Sequence, residues 1–99
     1  MYILARETIP IGHQVNCVGH AALGCYLKFK EKPEMQQWLD HSYKKITCKV
    51  SDEEFEKAKQ EADDWYLCVE NDIEGQETVL AFCPREKYSE FFKTLRLYS

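Results

Sequence analysis

Residues 9–24 read IPIGHQVNCVGHAALG, and this stretch predicts a loop that runs into a helix. Pro10 and Gly12 break regular structure, so we predict the helix from about His13 to Lys30. Gly12 lets the backbone approach a ligand closely at the helix N-terminus, where unpaired N–H groups attract anions or carbonyl oxygens. The chain is therefore organised around a long first helix with a candidate site at its start.

An α-helix rotates by about 100° per residue, and on this basis the predicted first helix has two distinct faces. The polar, uncharged face holds His13, Asn16, Cys17, His20 and Gly24. The opposite side is predicted to face the core and holds Val15, Val18, Ala22, Tyr26 and Phe29. No formal charge occurs between Glu7 and Lys28, although a solvent-facing helix normally carries Lys and Glu. We therefore expect the polar face to be covered.

Seven further elements follow from local patterns. Alternation and apolar runs indicate strands, Pro at a first helical position indicates helix starts, and Ser51 followed by Glu54 forms a capping box. The predicted elements are a strand over 2–5, a helix over 33–40, a strand over 44–50, a helix over 52–62, strands over 65–69 and 77–83, and a helix over 84–93. The segment 95–98 has no assigned state. Strands joined through helices, with a final hairpin, predict a mixed four-stranded sheet in a three-layer α/β sandwich of order β-α-α-β-α-β-β-α.

Size and composition limit the class of protein. Ninety-nine residues with 44 % hydrophobic content support one domain with a single core. No apolar run approaches the roughly 20 residues that cross a bilayer, and no secretory signal is visible. Five cysteines without Cys-x-x-Cys spacing suggest neither a disulfide framework nor a zinc ribbon. We therefore expect a soluble cytoplasmic protein without membrane contact, metal or cofactor.

Charge is distributed unevenly along the chain. The net charge is −4, yet residues 51–77 carry eleven acidic residues against two lysines, so the remainder is positive. A nucleic acid would be repelled by the acidic stretch 51–77 and tolerated by the positively charged remainder of the chain. Charge runs of this kind are usually a solvated helix face, and that is the plainer interpretation of residues 52–64.

Three stretches occur in the order and spacing typical of the type 2 peptidyl-tRNA hydrolases. They are HAALG at 20–24, KKITCKV at 44–50 before the acidic capping box, and TVLAFCP at 78–84. The chain resembles this family over nearly its whole length, and residues 10–24 are also similar to uncharacterised bacterial domains of the same fold. The resemblance implies a four-stranded mixed sheet and cleavage of the ester between a stalled peptide and the 3′ ribose of tRNA.

The resemblance also points to site residues. The family carries Lys-Gly-Lys before the first helix, and its catalytic lysine lies seven residues before a helix histidine. Counting back from His20 reaches His13, and Gly12 matches the glycine. The family's Asp-Ala-Gly-Arg-Thr segment between the last two strands is replaced by a shorter loop, in which Glu70 and Asp72 are the nearest acids. These two departures imply a divergent member with an altered site.

We predict that His13 acts as a general base held by Glu70 or Asp72, with helix N–H groups near Gly12 stabilising an oxyanion. Lys44 or Lys49 is expected to line the cleft. The candidate ligand-binding residues are Gly12, Asn16, Cys17, His20, Lys44 and Lys49.

Plainer interpretations of the same residues stay open. The plainer interpretation of His13 is the first exposed residue of the helix, and that of His20 is a partly buried histidine hydrogen-bonded to Asn16. A metal site from His13, Cys17 and His20 lacks a fourth ligand. Cys17 as a nucleophile lacks an assured second catalytic group.

Two functions therefore remain in view. The first is a divergent hydrolase of peptidyl-tRNA or a related ester, with tRNA or a small molecule as the bound partner. The second is a non-catalytic binding module that keeps the fold and uses the first-helix face for a ligand or a second subunit in a homodimer.

Overall fold

The computed structural model describes residues 1–98, which form a mixed α/β fold with one five-stranded sheet and four helices. In chain order the elements are β1 (Tyr2–Arg6), α1 (Ile11–Phe29), α2 (Pro33–Asp40), β2 (Ile46–Val50), α3 (Asp52–Ala58), β3 (Trp65–Glu70), a short 3₁₀ helix (Asn71–Ile73), β4 (Gln76–Phe82), α4 (Glu90–Lys93) and β5 (Arg96–Leu97). The predicted order of elements is confirmed up to the last helix.

The sheet has the strand order β3-β4-β1-β2-β5. β1 and β2 are parallel, whereas β4 pairs antiparallel with both β1 and β3. The mixed sheet, the interior first strand and the β3–β4 hairpin are therefore confirmed. The prediction of four strands is wrong, because Arg96–Leu97 adds a fifth strand antiparallel to β2. Two residues are too short to produce an alternating pattern, so only the pairing reveals this strand.

Two apolar clusters form on alternate residues of β1. Ile3 and Ala5 belong to a cluster with α1 and α2, whereas Leu4 belongs to one with Phe55 of α3 and Phe92 of α4. Successive strand side chains point to opposite faces of a sheet, which explains the division. The three-layer arrangement stays a prediction, and this alternation supports it.

The buried face of α1 differs from the predicted core side. The buried residues of α1 are Gln14, Cys17, Ala21 and Cys25. Val15 is 65 % exposed, so its placement in the core was wrong, whereas Val18, Ala22, Tyr26 and Phe29 pack at the cluster margin. Hydrophobicity alone does not orient the helix correctly, because Ile11, Val15 and Leu23 are more apolar than the buried residues and yet are exposed. The small side chains of Cys17, Ala21 and Cys25 let α1 lie close to the sheet.

Two helix ends also differ from prediction. The Ser51–Glu54 capping box is confirmed by both reciprocal hydrogen bonds, but α3 ends at Ala58 instead of residue 62. The last helix covers only Glu90–Lys93 instead of 84–93. The Tyr88 hydroxyl donates to the Cys83 carbonyl at 2.6 Å, and this contact holds the intervening segment in an irregular path after Pro84.

Candidate active site at the start of the first helix

The entry to α1 is held by side chains that follow the first strand. Ile9 is buried, and the Gln14 amide donates to its carbonyl oxygen at 2.5 Å. Pro10 is the N-cap residue, and its fixed φ suits the approach to the first helical turn. α1 therefore begins at Ile11, two residues before the predicted start, and His13 lies in its first turn.

His13 and Glu70 are brought together by the fold although 57 positions separate them in sequence. The His13 Nδ1 atom lies 3.5 Å from Glu70 Oε2, and Glu70 is the last residue of β3. The side chains are 31 % and 18 % exposed, so the pair is reachable from solvent. An imidazole against a carboxylate is the arrangement of an oriented general base.

Glu70 is itself held in place by the turn that follows it. Its Oε1 atom accepts a hydrogen bond from the Asp72 backbone N–H at 3.3 Å. This bond, together with the contact to His13, lowers the pKa of Glu70 below its usual 4.5. Asp72 therefore contributes its backbone to the pair, and its own side chain is exposed. Of the two predicted acids, Glu70 is the one that contacts His13.

Cys17 lies beneath the pair and is closed to solvent. Its thiol donates to Glu70 Oε2 at 3.7 Å, and burial raises the pKa of Cys17 to about 11. Burial therefore disfavours the thiolate, which is the nucleophilic form of cysteine. Cys17 was predicted as a ligand-binding residue, and its side chain is fully buried in the cluster between α1 and the sheet. Thr78 is also fully buried and donates to the Cys68 carbonyl at 3.0 Å.

A groove of about 410 Å³ lies between α1 and β3, and Glu70 forms part of its wall. Its lining residues are His20, Leu23, Gly24, Leu27, Tyr66, Cys68, Val69, Glu70 and Asn71. Lys and Arg are absent from this set, so Glu70 supplies the only formal charge among the described lining residues. The sequence pattern identified His20 and Gly24 as candidate residues. It missed Leu23 and Leu27, the aliphatic side chains that α1 contributes to the groove, because nothing in the pattern distinguishes them from other helix residues. The signal that could have found them is the charge-free α1 sequence.

Of the other predicted site residues, His20 lines this groove, whereas Gly12, Asn16, Lys44 and Lys49 do not. Gly12 and Asn16 are exposed on α1, and His20 is exposed instead of partly buried. The Lys44 carbonyl accepts from the Met1 amine, at the opposite end of β1 from His13. Lys49 lies in β2, with its Nζ atom 4.8 Å from the centre of the Tyr98 ring. Neither lysine lines the groove between α1 and β3, and the member of the His13–Glu70 pair that lines it is Glu70.

A second cavity, of about 520 Å³, lies at the end of the sheet where Lys44 is found. Its wall combines aromatic and charged side chains, including Trp38, Tyr88, Lys87 and Arg85. Five separate segments contribute to it, which explains why no single stretch of sequence pointed to it. Within residues 1–98, no group of three or more His, Cys, Asp or Glu side chains is placed to hold a metal ion. None of the described helices is long and apolar enough to cross a membrane.

Comparison with known proteins identifies the family of the chain. Among curated proteins, none matches this chain. A family model described as peptidyl-tRNA hydrolase PTH2 matches residues 1–98, which is nearly the whole sequence. The chain therefore belongs to the peptidyl-tRNA hydrolase PTH2 family.

Proposed function

We propose that this chain hydrolyses the ester of peptidyl-tRNA or a related ester, with His13 as the general base and Glu70 as the carboxylate that orients it. The observation that carries the proposal is the 3.5 Å contact between His13 Nδ1 and Glu70 Oε2 at the start of α1. Catalytic contacts in unliganded sites are often longer than in the reacting complex. Family membership supports the reaction class.

In this reaction the Nε2 atom of His13 takes a proton from water as the water oxygen attacks the ester carbonyl carbon. The N–H groups of the first helical turn have no intrahelical acceptors, and those around Gly12 stabilise the oxyanion that forms. The ester C–O bond then breaks, and the imidazolium returns the proton to the leaving ribose oxygen. Glu70 stays ionised throughout and stabilises the charged imidazole.

The groove between α1 and β3 suits the acyl part of such a substrate. Leu23, Leu27 and Val69 present aliphatic surface there, being 60 %, 54 % and 45 % exposed. Glu70 would repel phosphate groups, and no cationic side chain lines the groove to attract them. We therefore place the acyl chain in the groove and the RNA outside it.

The test compares hydrolysis of peptidyl-tRNA by the wild-type chain with three variants. We expect His13→Ala to lower the rate about 10²–10⁴-fold, the range for loss of a general base. Glu70→Gln should give an intermediate loss, because the imidazole keeps a neutral hydrogen-bond partner. His41→Ala is the matched control, since His41 is exposed beside the second cavity and should leave the rate unchanged. An intact substrate at high wild-type concentration, or full activity in His13→Ala, refutes the proposal.

A second candidate function is a non-catalytic interaction module. The observation in its favour is the aliphatic surface of α1, where Ile11, Val15, Leu23 and Leu27 are 54–67 % exposed. Single exposed aliphatic residues are ordinary, but four on one helix indicate a binding surface. Absence of turnover combined with a measurable partner would favour this function over hydrolysis.

A further inference from the structure

The second cavity lies at the end of the sheet that is remote from the His13–Glu70 pair. Its wall is formed in part by α2 and in part by the segment between β4 and α4. Its volume of about 520 Å³ lies within the roughly 300–1,000 Å³ of small-molecule sites. Trp38 packs against the apolar cluster beside α1, and Tyr88 packs against the cluster beside α3. The cavity therefore receives aromatic surface from both faces of the sheet.

The aromatic side chains of this wall are held in fixed orientations by the chain itself. The Trp38 indole N–H donates to the Lys44 carbonyl at 2.7 Å, and the Tyr88 hydroxyl donates to the Cys83 carbonyl at 2.6 Å. The Tyr88 ring also meets the edge of the Tyr2 ring, with the ring centres 4.7 Å apart. Because their polar atoms have partners within the protein, these rings offer carbon surface to a ligand. Such surface binds planar rings by stacking.

The charged side chains of the wall favour an anion. They are four cations and two carboxylates: Lys44, Arg85, Lys87, Lys93, Glu34 and Glu86. This excess of cations occurs on a chain whose net charge is −4. Arg85 donates to both carboxylate oxygens of Asp64, and Lys93 lies 3.4 Å from Glu90. No carboxylate within residues 1–98 forms an ion pair with Lys44 or Lys87, so these two ammonium groups are available to a ligand.

The kinds of cation indicate which anion fits. A carboxylate ligand is best recognised by the planar fork of an arginine, whereas lysine binds phosphate as a point charge. The fork of Arg85 is already occupied by Asp64, so the groups that remain favour phosphate. Glu34 and Glu86 would repel the further phosphates of a polyphosphate or an RNA strand. The wall therefore suits a ligand that carries a single phosphate group.

We propose that this cavity is a second binding site and that it takes a nucleoside monophosphate. The base stacks on Trp38, and the phosphate contacts Lys44 and Lys87. This class of ligand joins a planar ring and one phosphate in a molecule suited to a small-molecule cavity. The proposal does not rest on ester hydrolysis, because none of the cavity residues belongs to the His13–Glu70 pair.

Isothermal titration calorimetry with AMP tests the proposal. We expect a dissociation constant of the order of 10 µM, from the efficiency typical of a ligand with about 23 non-hydrogen atoms. Ribose 5-phosphate lacks the base and should bind about 5- to 150-fold more weakly, the range for loss of one stacked base. Adenosine lacks the phosphate and should bind at least about 10-fold more weakly, as expected for loss of a charged hydrogen bond.

Two variants and two controls locate the ligand. Lys87→Ala should weaken AMP binding about 10-fold or more, and Trp38→Ala about 5- to 150-fold. Lys30→Ala is the matched control, because Lys30 is an exposed lysine at the end of α1 outside the cavity wall. His13→Ala should bind AMP like the wild type, which separates this site from hydrolysis. Circular dichroism establishes that each variant is folded, and Lys87 is exposed, so its truncation leaves the core intact.

Four results overturn the proposal. The first is no binding at about 1 mM AMP, a concentration about a hundredfold above the expected dissociation constant. The second is ribose 5-phosphate binding as tightly as AMP, which leaves the base without a role. The third is equal AMP affinity in Lys87→Ala and Lys30→Ala, which places the ligand elsewhere. The fourth is an adenylate tetranucleotide that binds more tightly than AMP and loses this binding in Lys87→Ala, which assigns the cavity to an RNA strand.

Discussion

The two glycines of α1 allow one substitution to be compared in two surroundings. Gly24→Ala places a methyl group against the Tyr66 ring, because the Cδ1 atom of that ring lies 2.8 Å from the position the new Cβ atom would take. Two further atoms of the ring lie closer still. Gly19→Ala places the same methyl group in open space. Both substitutions raise helix propensity by about the same amount, roughly 1 kcal/mol. The difference between the two variants therefore isolates the overlap with Tyr66.

The magnitude follows from the packing around the ring. Tyr66 is half-buried against the cluster beneath α1, so the ring must move or α1 must shift. Overpacking of this kind costs about 1–3 kcal/mol. We expect Gly19→Ala to raise the free energy of unfolding by about 0.5–1 kcal/mol and Gly24→Ala to leave it unchanged or lower it by up to about 2 kcal/mol. The variants should thus differ by about 1–3 kcal/mol.

Urea unfolding followed by tryptophan fluorescence measures this difference. In thermal unfolding each kcal/mol corresponds to about 4–8 °C for a domain of this size. Tyr66→Ala supplies the control, because Gly24→Ala should become stabilising once the ring is absent. The reasoning is refuted if Gly24→Ala and Gly19→Ala have equal stability, or if Tyr66→Ala leaves the effect of Gly24→Ala unchanged.

Three further predictions concern buried and paired groups. Burial raises the pKa of Cys25 to about 12, and all five native cysteines are buried. We therefore expect the five thiols to resist iodoacetamide at about pH 8 in the folded protein and to react upon unfolding. Intact-protein mass spectrometry counts the alkylated thiols in each state. Asp64→Asn weakens the pair of hydrogen bonds with Arg85, at 2.9 and 2.8 Å, and should lower the free energy of unfolding by about 1–3 kcal/mol. The exposed control Glu90→Gln should change it by less than about 0.5 kcal/mol. The lowered pKa of Glu70 means that its stabilising contribution is present above pH 4.5 and is lost as the pH falls through the lower folded-state pKa. In urea titrations, the difference in free energy of unfolding between the wild type and Glu70→Gln should therefore shrink as the pH is lowered below 4.5. A difference that stays constant contradicts a lowered pKa of Glu70 in the folded state.

Local signals in the sequence were sufficient to predict most of the helices and strands. The capping box at Ser51 and the strand Trp65–Glu70 each depend on neighbours within a few residues, so a short window contains the relevant physics. The irregular segment before α4 was missed because it depends on a hydrogen bond between Tyr88 and Cys83, which a helical pattern does not encode.

The sequence by itself determined the order of the elements, the mixed sheet and the place of His13 at the start of the first helix. Only the tertiary structure decided that Glu70, and not Asp72, contacts His13. It also decided that α1 turns Cys17 toward the sheet and leaves Val15 in solvent. The physical reason is that neither face of α1 is charged and that the buried side chains of α1 are small rather than the most hydrophobic ones. Their assignment therefore depends on which side chains are small enough to lie against the strands, and that is a property of the packed chain.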